Sequence, residues 1–327
     1  MFRTYDLSGI WDFSMAQMAK GTFPTAFDDT IALPGTTSLA KKGAPNPNRE
    51  AGFLTDAYAF EGQAWFRKEI CIDPELFDTD MGMLPIKLTL ERTRMTTLWI
   101  NGRLVGSCNS LCTPHVYDIT DFVTKPLVEI LVLVENTGYP TKGGHLTSPD
   151  TQSNWNGITG EISLTVLPPV HLSDLQAYPD AVHKSVTLRG MLRGAAHTSL
   201  TVTGKAFSKD DPCIREISPI RTDLDADTEG TFSLLIPLGE DALLWSEYTP
   251  VVYELHLSMP DVPGDAVIRF GLRSLSTKGM EFQVNGTPIM LRGKHDGMLF
   301  PLTGAAPTDL AEWLRLLSIA KAYGINH

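Results

Sequence analysis

Cys108, Cys112 and His115, in the stretch CNSLCTPH, are the residues whose types and spacing most readily suggest chemistry, because two thiolates and an imidazole make three of the four ligands of a tetrahedral metal site. No second cysteine pair lies near them in sequence to complete such a site. Cys71 and Cys213 stand apart, and four cysteines in all are too sparse for a disulfide scaffold. The group therefore reads as ordinary strand and loop cysteines, and no metal or other cofactor is expected. The 38 aspartates and glutamates offer many candidate acids and bases, yet no motif selects a pair among them, and each reads as a solvated surface charge. No residue of the chain is assigned a catalytic role.

A formal net charge of −11 excludes nucleic acid as a partner, since phosphate recognition needs a basic stripe and none is present. No apolar run is long enough to span a bilayer, and the segment before LSGIWDF is too short and too polar for a signal peptide. Localisation stays unknown: cytoplasmic as written, or periplasmic or secreted where a leader has been removed. With 327 residues, 43% of them apolar and 20% charged, the chain can form two or three domains with separate cores.

Three segments must position any functional group. Residues 1–168 read as strand after short strand: AWFRKEICI, IKLTLERT, TTLWINGRLVG and VEILVLVENT are rich in β-branched and aromatic residues, several with clean alternation. Asn101-Gly102 between apolar flanks predicts a tight hairpin. LPGTTSLAKKGAPNPNREAG, with its prolines and glycines, reads as a surface loop. Pro168-Pro169 marks a boundary, and residues 169–275 carry a second strand series, SVTLRGML, SLTVTGKAF, GTFSLLIPL, YELHLSMP and VIRFGLRSL, whose number and spacing suit an immunoglobulin-like sandwich. Residues 276–327 differ in kind. A second Asn-Gly hairpin at Asn285-Gly286 precedes the apolar strand PIMLRG, and then a helix runs from an N-cap at Thr308 to Gly324 at C′, with Leu310, Trp313, Leu314 and Leu317 on its apolar face. Strand, helix and the start of INH read as the opening of a β/α repeat, which one strand and one helix cannot complete. The chain is thus expected to be a fragment cut early in a third domain. With no neighbours to cover it, the helix should pack on the sandwiches, associate with another chain or fray.

This order of segments, and several motifs within it, resemble family 2 glycoside hydrolases, the β-galactosidase and β-glucuronidase group. LSGIWDF, LPGTT and AWFRKEI look like that family's opening strands; INGRLVGSCNSLCTPHVYDIT, NWNGITGEISLTV and FQVNGTPIMLRGKHDG are similar to its later landmarks. The resemblance implies a mainly β chain: a jelly-roll-like, galactose-binding-type β-sandwich, an immunoglobulin-like β-sandwich, then the first strand and helix of an incomplete (β/α)8 barrel. It also implies a retaining β-glycosidase, in which one glutamate protonates the leaving oxygen and another attacks the anomeric carbon. Both glutamates come from later barrel strands, so this chain alone is expected to be inactive, and a carbohydrate is the partner.

What remains for these residues is contact with the sugar. The resemblance places an acidic residue shortly before the last strand of the first domain, where Asp150 lies one position away from Thr151. Trp155 offers either a platform for a pyranose ring or a filler of the sandwich edge. Arg292 and Gly293 match the family's RG pair, His295 and Asp296 follow at the C-terminal end of the first barrel strand, and Gly297 stands where the family histidine would fall. Asn326 matches the asparagine opening the second barrel strand. Two other readings stay open: a non-catalytic carbohydrate-binding or adhesion module, and a pair of sandwiches that only buttress a barrel and set contacts in a homo-oligomer.

Overall fold

The computed structural model describes residues 3–47, 57–77, 84–142, 154–260, 262, 264–296 and 306–327. Strand dominates, and the chain divides into two compact units, one of residues 3–167 with 294–323, the other of residues 168–293 with 324–327.

In the first unit two antiparallel sheets face each other. One has the order Arg3–Asp6, Ile162–Val166, Ile86–Leu90, His115–Asp118; the other runs Arg103–Cys108, Met95–Ile100, Leu127–Glu135, Gln63–Cys71, Gly9–Ser14, Asp29–Leu33. Alternation decides which side chains enter the core: Ile86, Leu88 and Leu90 point inward and Lys87 and Thr89 outward, against Trp11, Phe13, Phe66 and Ile100. Each such side chain contributes about 1.5–3 kcal/mol on burial. The strand Leu127–Glu135 is apolar almost throughout because both its faces are covered. Val128, Ile130, Val132 and Val134 join the inter-sheet core, whereas Leu131 and Leu133 join a second cluster with Trp65 and Trp99, backed by Met18, Phe23 and Phe27.

The stretch beginning LPGTT is not wholly the surface loop its composition suggests. Gly35–Thr36 pairs with Gly157–Ile158, and Thr36, Thr37 and Ser38 are buried. Their polar groups are used: Thr37 N donates to the Asn156 carbonyl at 2.8 Å, Thr36 Oγ1 accepts from Leu39 N at 3.1 Å, and Ser38 Oγ accepts from Tyr58 N at 3.2 Å. Hydroxyl side chains can be buried where every donor and acceptor finds a partner, which hydropathy alone does not reveal.

The second unit holds a three-stranded sheet, His171–Asp180, Ser185–Arg193, Thr231–Pro237, and a four-stranded one, Arg215–Asp225, His197–Phe207, Val252–Ser258, Ala266–Phe270. Two of these strands, Arg215–Asp225 and His171–Asp180, lack a clear sequence signal and contain Pro219 and Pro179. Both lie at sheet edges, where a missing N–H is tolerated, and Pro219 falls where the pairing with His197–Phe207 shifts register. Tyr253 pins a corner of this unit: its hydroxyl accepts from Leu243 N at 2.7 Å and donates to Leu243 O at 3.2 Å.

Both Asn-Gly turns form, with φ of 51° and 75° at Asn101-Gly102 and 51° and 76° at Asn285-Gly286. The second joins Glu281–Val284 to Thr287–Ile289 in a three-strand meander begun by Leu275–Lys278. Past Ile289 the expected strand PIMLRG is not paired, and the described residues contain no parallel strand pair and no barrel. The helix Leu310–Ala322 forms, but its N-cap is Asp309, whose carboxylate accepts from Ala311 N at 3.0 Å, rather than Thr308. Asp309 has the extended backbone that a cap requires, and its charged oxygen suits the positive end of the helix better than a hydroxyl. Gly324 follows the C-cap with φ 81°. No residue of the helix is buried, and Leu310, Leu314 and Leu317 are 71%, 57% and 61% exposed.

Candidate functional site

Three asparagines organise one end of the first sandwich. Asn136 directly follows the strand Leu127–Glu135 and is fully buried; its Oδ1 accepts from Gly62 N at 2.9 Å, and its Nδ2 donates to the carbonyls of Phe60 at 2.7 Å and Asn154 at 2.8 Å. Asn154 returns the link by donating to the Asn136 carbonyl at 2.9 Å and to Glu61 at 3.1 Å, while its Oδ1 accepts from the Tyr139 hydroxyl at 2.8 Å. Asn156 donates to the carbonyls of Val134 at 3.0 Å and Gly62 at 3.3 Å. Asparagine disfavours strand interiors and prefers positions where its side chain serves nearby backbone, so these three fix the chain where the strands end. Burial pushes the Tyr139 hydroxyl up to about 12, leaving it a neutral donor at physiological pH.

Beside this network opens a cleft of about 320 Å³ lined by the turn Glu91–Arg94, the loop Leu111–Pro114 and Trp155. Arg94 is buried and holds Trp155 twice: its guanidinium carbon stands 4.2 Å from the centre of the indole ring, and Nε donates to the Trp155 carbonyl at 3.1 Å. Trp155 is therefore both an edge filler and a wall of the cleft. Arg92 adopts a left-handed backbone, φ 53°, with its carbonyl accepting from Thr159 N and Oγ1, both at 3.0 Å.

The loop wall is anchored from below by His115. Its ring is buried, Nε2 donates to the Ser110 carbonyl at 2.7 Å, and Nδ1 accepts from Thr96 Oγ1 at 2.6 Å. Both ring nitrogens are committed to the fold, and among the described residues no cluster of His, Cys, Asp and Glu is arranged to hold a metal. Burial lowers the affinity of this imidazole for a proton below the ordinary histidine value. The unfolded chain thus takes up a proton near pH 6.5 that the folded chain refuses, so the contribution of His115 is fully present above pH 6.5 and is lost as pH falls toward the lower folded value. His115→Gln should flatten that acid-side loss. The check is the difference in chemical-denaturation stability between the two proteins across pH 7 to 5, because His183 and His197, raised by the hydrogen bonds they donate to Asp180 and Asp225, titrate with the opposite sign in both.

In the second unit Arg292 and Asn326 meet. Asn326 Oδ1 accepts from Arg292 N at 2.8 Å, Asn326 N donates to Arg292 O at 3.1 Å, and Arg292 Nε donates to the Gly324 carbonyl at 2.6 Å. Glu247 closes the group, accepting from Arg292 Nη2 at 3.2 Å and from Asn326 Nδ2 at 2.7 Å. The Asn326 amide is fully engaged by protein groups, with Met290 O taking a further bond at 3.0 Å. The bond from Asn326, followed by that from Tyr248 and then that from Arg292, holds the Glu247 carboxyl below its usual range.

Of the residues singled out in the sequence, Arg292 and Asn326 are thus brought into contact. Trp155 lies in the other unit, in the cleft. His295 and Asp296 are exposed, Asp296 accepting from Lys294 Nζ at 2.8 Å, and Asp150 lies outside the described residues. Sequence reasoning did not find Arg92, Arg94, Asn136 or Glu247. The signal available for Asn136 was an asparagine directly after an apolar strand; Glu247 carried none.

No family model matches the chain. Curated relatives do: the β-galactosidase large subunit of Lactobacillus acidophilus is 23% identical over 88% of this chain and 49% of its own length, and the β-galactosidase of Streptococcus thermophilus is 23% identical over 98% of this chain and 32% of its own. The chain therefore spans from about a third to about half the length of these relatives. A similar fold occurs in Bacteroides uniformis β-glucuronidase 2 covalently bound to cyclophellitol-6-carboxylate aziridine, with a TM-score of 0.72, 20% identity, and coverage of 100% of this chain and 39% of that one. Taken with the motifs that run along nearly its whole length, these likenesses show a chain similar to an N-terminal part of the longer family 2 glycoside hydrolases, the β-galactosidase and β-glucuronidase group.

Proposed function

We propose that this chain is the N-terminal, non-catalytic portion of a retaining β-glycosidase that hydrolyses O-glycosidic bonds. In this reading residues 1–168 form the jelly-roll-like, galactose-binding-type sandwich and residues 169–275 the immunoglobulin-like one, a reading supported by the three-plus-four sheet arrangement and the Tyr253 corner. Residues 276–327 begin the catalytic barrel. The observation that carries the proposal is the helix Leu310–Ala322, which forms with cap and C-terminal glycine in place while none of its residues is buried. An amphipathic helix with an uncovered apolar face is built for neighbours, and in this family the neighbours are further strands and helices of the barrel.

The acid–base and nucleophilic glutamates are assigned to that barrel, on strands beyond residue 327. The role left to this chain is to shape the sugar pocket and brace the barrel, with Glu247, Arg292 and Asn326 tying its first residues together. The protein expressed from its full coding region should hydrolyse a chromogenic β-galactoside or β-glucuronide, and the 327-residue chain alone should not. A full-length product lacking a pair of barrel glutamates and inactive on β-glycosides would overturn the assignment.

A further inference from the structure

We propose that the cleft between residues 91–94 and 111–114 binds an acidic sugar residue, its carboxylate or sulfate held by the Arg92 guanidinium and its ring packed against Trp155. The choice of a sugar rests on the glycosidase reading above; the choice of an anionic one rests on the cleft.

Two arginines line this cavity, and they do different things. Arg94 is committed to Trp155, stacking on its ring and bonding its carbonyl, so it holds the indole in place as a wall. Arg92 is exposed, and among the described residues its guanidinium has no hydrogen-bond or ion-pair partner. Its backbone is fixed by the two bonds from Thr159 in a conformation that a β-carbon disfavours. Glycine would suit that turn better, and the chain nevertheless keeps a long cation there. The acidic residue of the lining, Glu91, is turned to another task, its Oε2 accepting from Glu161 N at 3.0 Å.

Charge across the whole chain does not oppose an anion here. The net charge is −11, but salt screens charges beyond about 8–10 Å, so the field inside the cleft is set by its own lining, where, among the described residues, two arginines against the single carboxylate of Glu91 leave a positive balance. At about 320 Å³ the cavity lies at the low end of the range for small-molecule sites, suiting one pyranose ring with its substituent rather than an extended glycan. An anionic group meeting guanidinium forms charge-assisted hydrogen bonds, and the C–H face of the ring packs on an aromatic surface.

Cys112 lines the same cleft and is exposed, while Cys213 is exposed in the other unit, so labelling of the two thiols by iodoacetamide, read by peptide mass mapping, reports occupancy with an internal control. Methyl β-D-glucuronide and glucose 6-sulfate distinguish carboxylate from sulfate; methyl β-D-glucoside and inorganic sulfate test ring and anion alone. At least one acidic sugar should slow Cys112 labelling at concentrations about ten-fold below those needed for the neutral glucoside, with Cys213 unaffected. Arg92→Gly, which fits the left-handed backbone, should abolish that difference, and Arg92→Lys should keep part of it. Equal protection by acidic and neutral sugars, an unchanged difference in Arg92→Gly, protection by inorganic sulfate alone, or no protection at all would each overturn the proposal. Equal protection by all the sugars would leave the glycosidase reading standing, and inactivity of the full-length protein would sink that reading without touching the anion preference.

Discussion

Asn136→Ala should destabilise the first sandwich by about 3 kcal/mol, since three hydrogen bonds to backbone groups, each contributing about 1 kcal/mol, are removed at once from a buried position. For a unit of this size that loss lowers the thermal midpoint by about 6–12 °C. The side chain is fully buried and serves three separate backbone groups, Gly62 N, Phe60 O and Asn154 O. Alanine leaves all three short of a partner in the same spot. Asn136→Asp separates hydrogen bonding from shape: the carboxylate still accepts from Gly62 N, but it sets a negative charge against two carbonyl oxygens it can no longer donate to. That variant should be at least as unstable as Asn136→Ala at neutral pH and should regain stability on acidification, when the carboxyl becomes a donor again. A calorimetric midpoint for Asn136→Ala within about 2 °C of the parent protein would show that the network is ornamental to the fold.

The contrast between what the sequence showed and what it hid follows the range of the interactions involved. Asn101-Gly102 and Asn285-Gly286 could be read because a tight turn is decided by the two residues that make it, and both pairs take up positive φ as their types require. Strands such as Ile86–Leu90 could be read because alternation is written along a single segment. The burial of Thr36, Thr37 and Ser38 could not, because it depends on Gly157 and on Asn156, which lies 119 residues beyond Thr37. Edge strands with proline gave no strand signal, since the positions that tolerate Pro179 and Pro219 exist only once the sheet order is set. At the candidate site, the aromatic type drew attention to Trp155, and the family resemblance to Arg292 and Asn326. Their partners Arg94 and Glu247 did not stand out, because an arginine in a strand region and a glutamate in a loop look like ordinary surface residues until the fold brings them home.

Gly157→Ala should be the most damaging small change near the cleft, costing at least about 3 kcal/mol, because backbone strain and a steric clash fall on one residue. Gly157 sits at φ 138°, a region that side chains rarely enter, and a β-carbon there would fall on the Gly35 carbonyl oxygen and 2.9 Å from Thr36 Cα. Backbone cannot rotate aside as a flexible side chain would, so the pairing of Gly157–Ile158 with Gly35–Thr36 has to open, and with it the bond from Thr93 Oγ1 to the Gly157 carbonyl at 2.8 Å. Two residues upstream the displacement reaches Trp155, whose carbonyl and ring are both held by Arg94. The variant should therefore lose stability and also label faster at Cys112 while still folded, as the cleft wall moves. Gly102→Ala supplies the comparison: its φ of 75° is equally left-handed, but nothing lies within 4 Å of the added carbon, so only the conformational cost of about 1 kcal/mol remains. The excess of the first loss over the second measures the close approach of the two backbones, and equal losses in the two variants would mean that the strand pair beneath the cleft yields freely and does not fix Trp155.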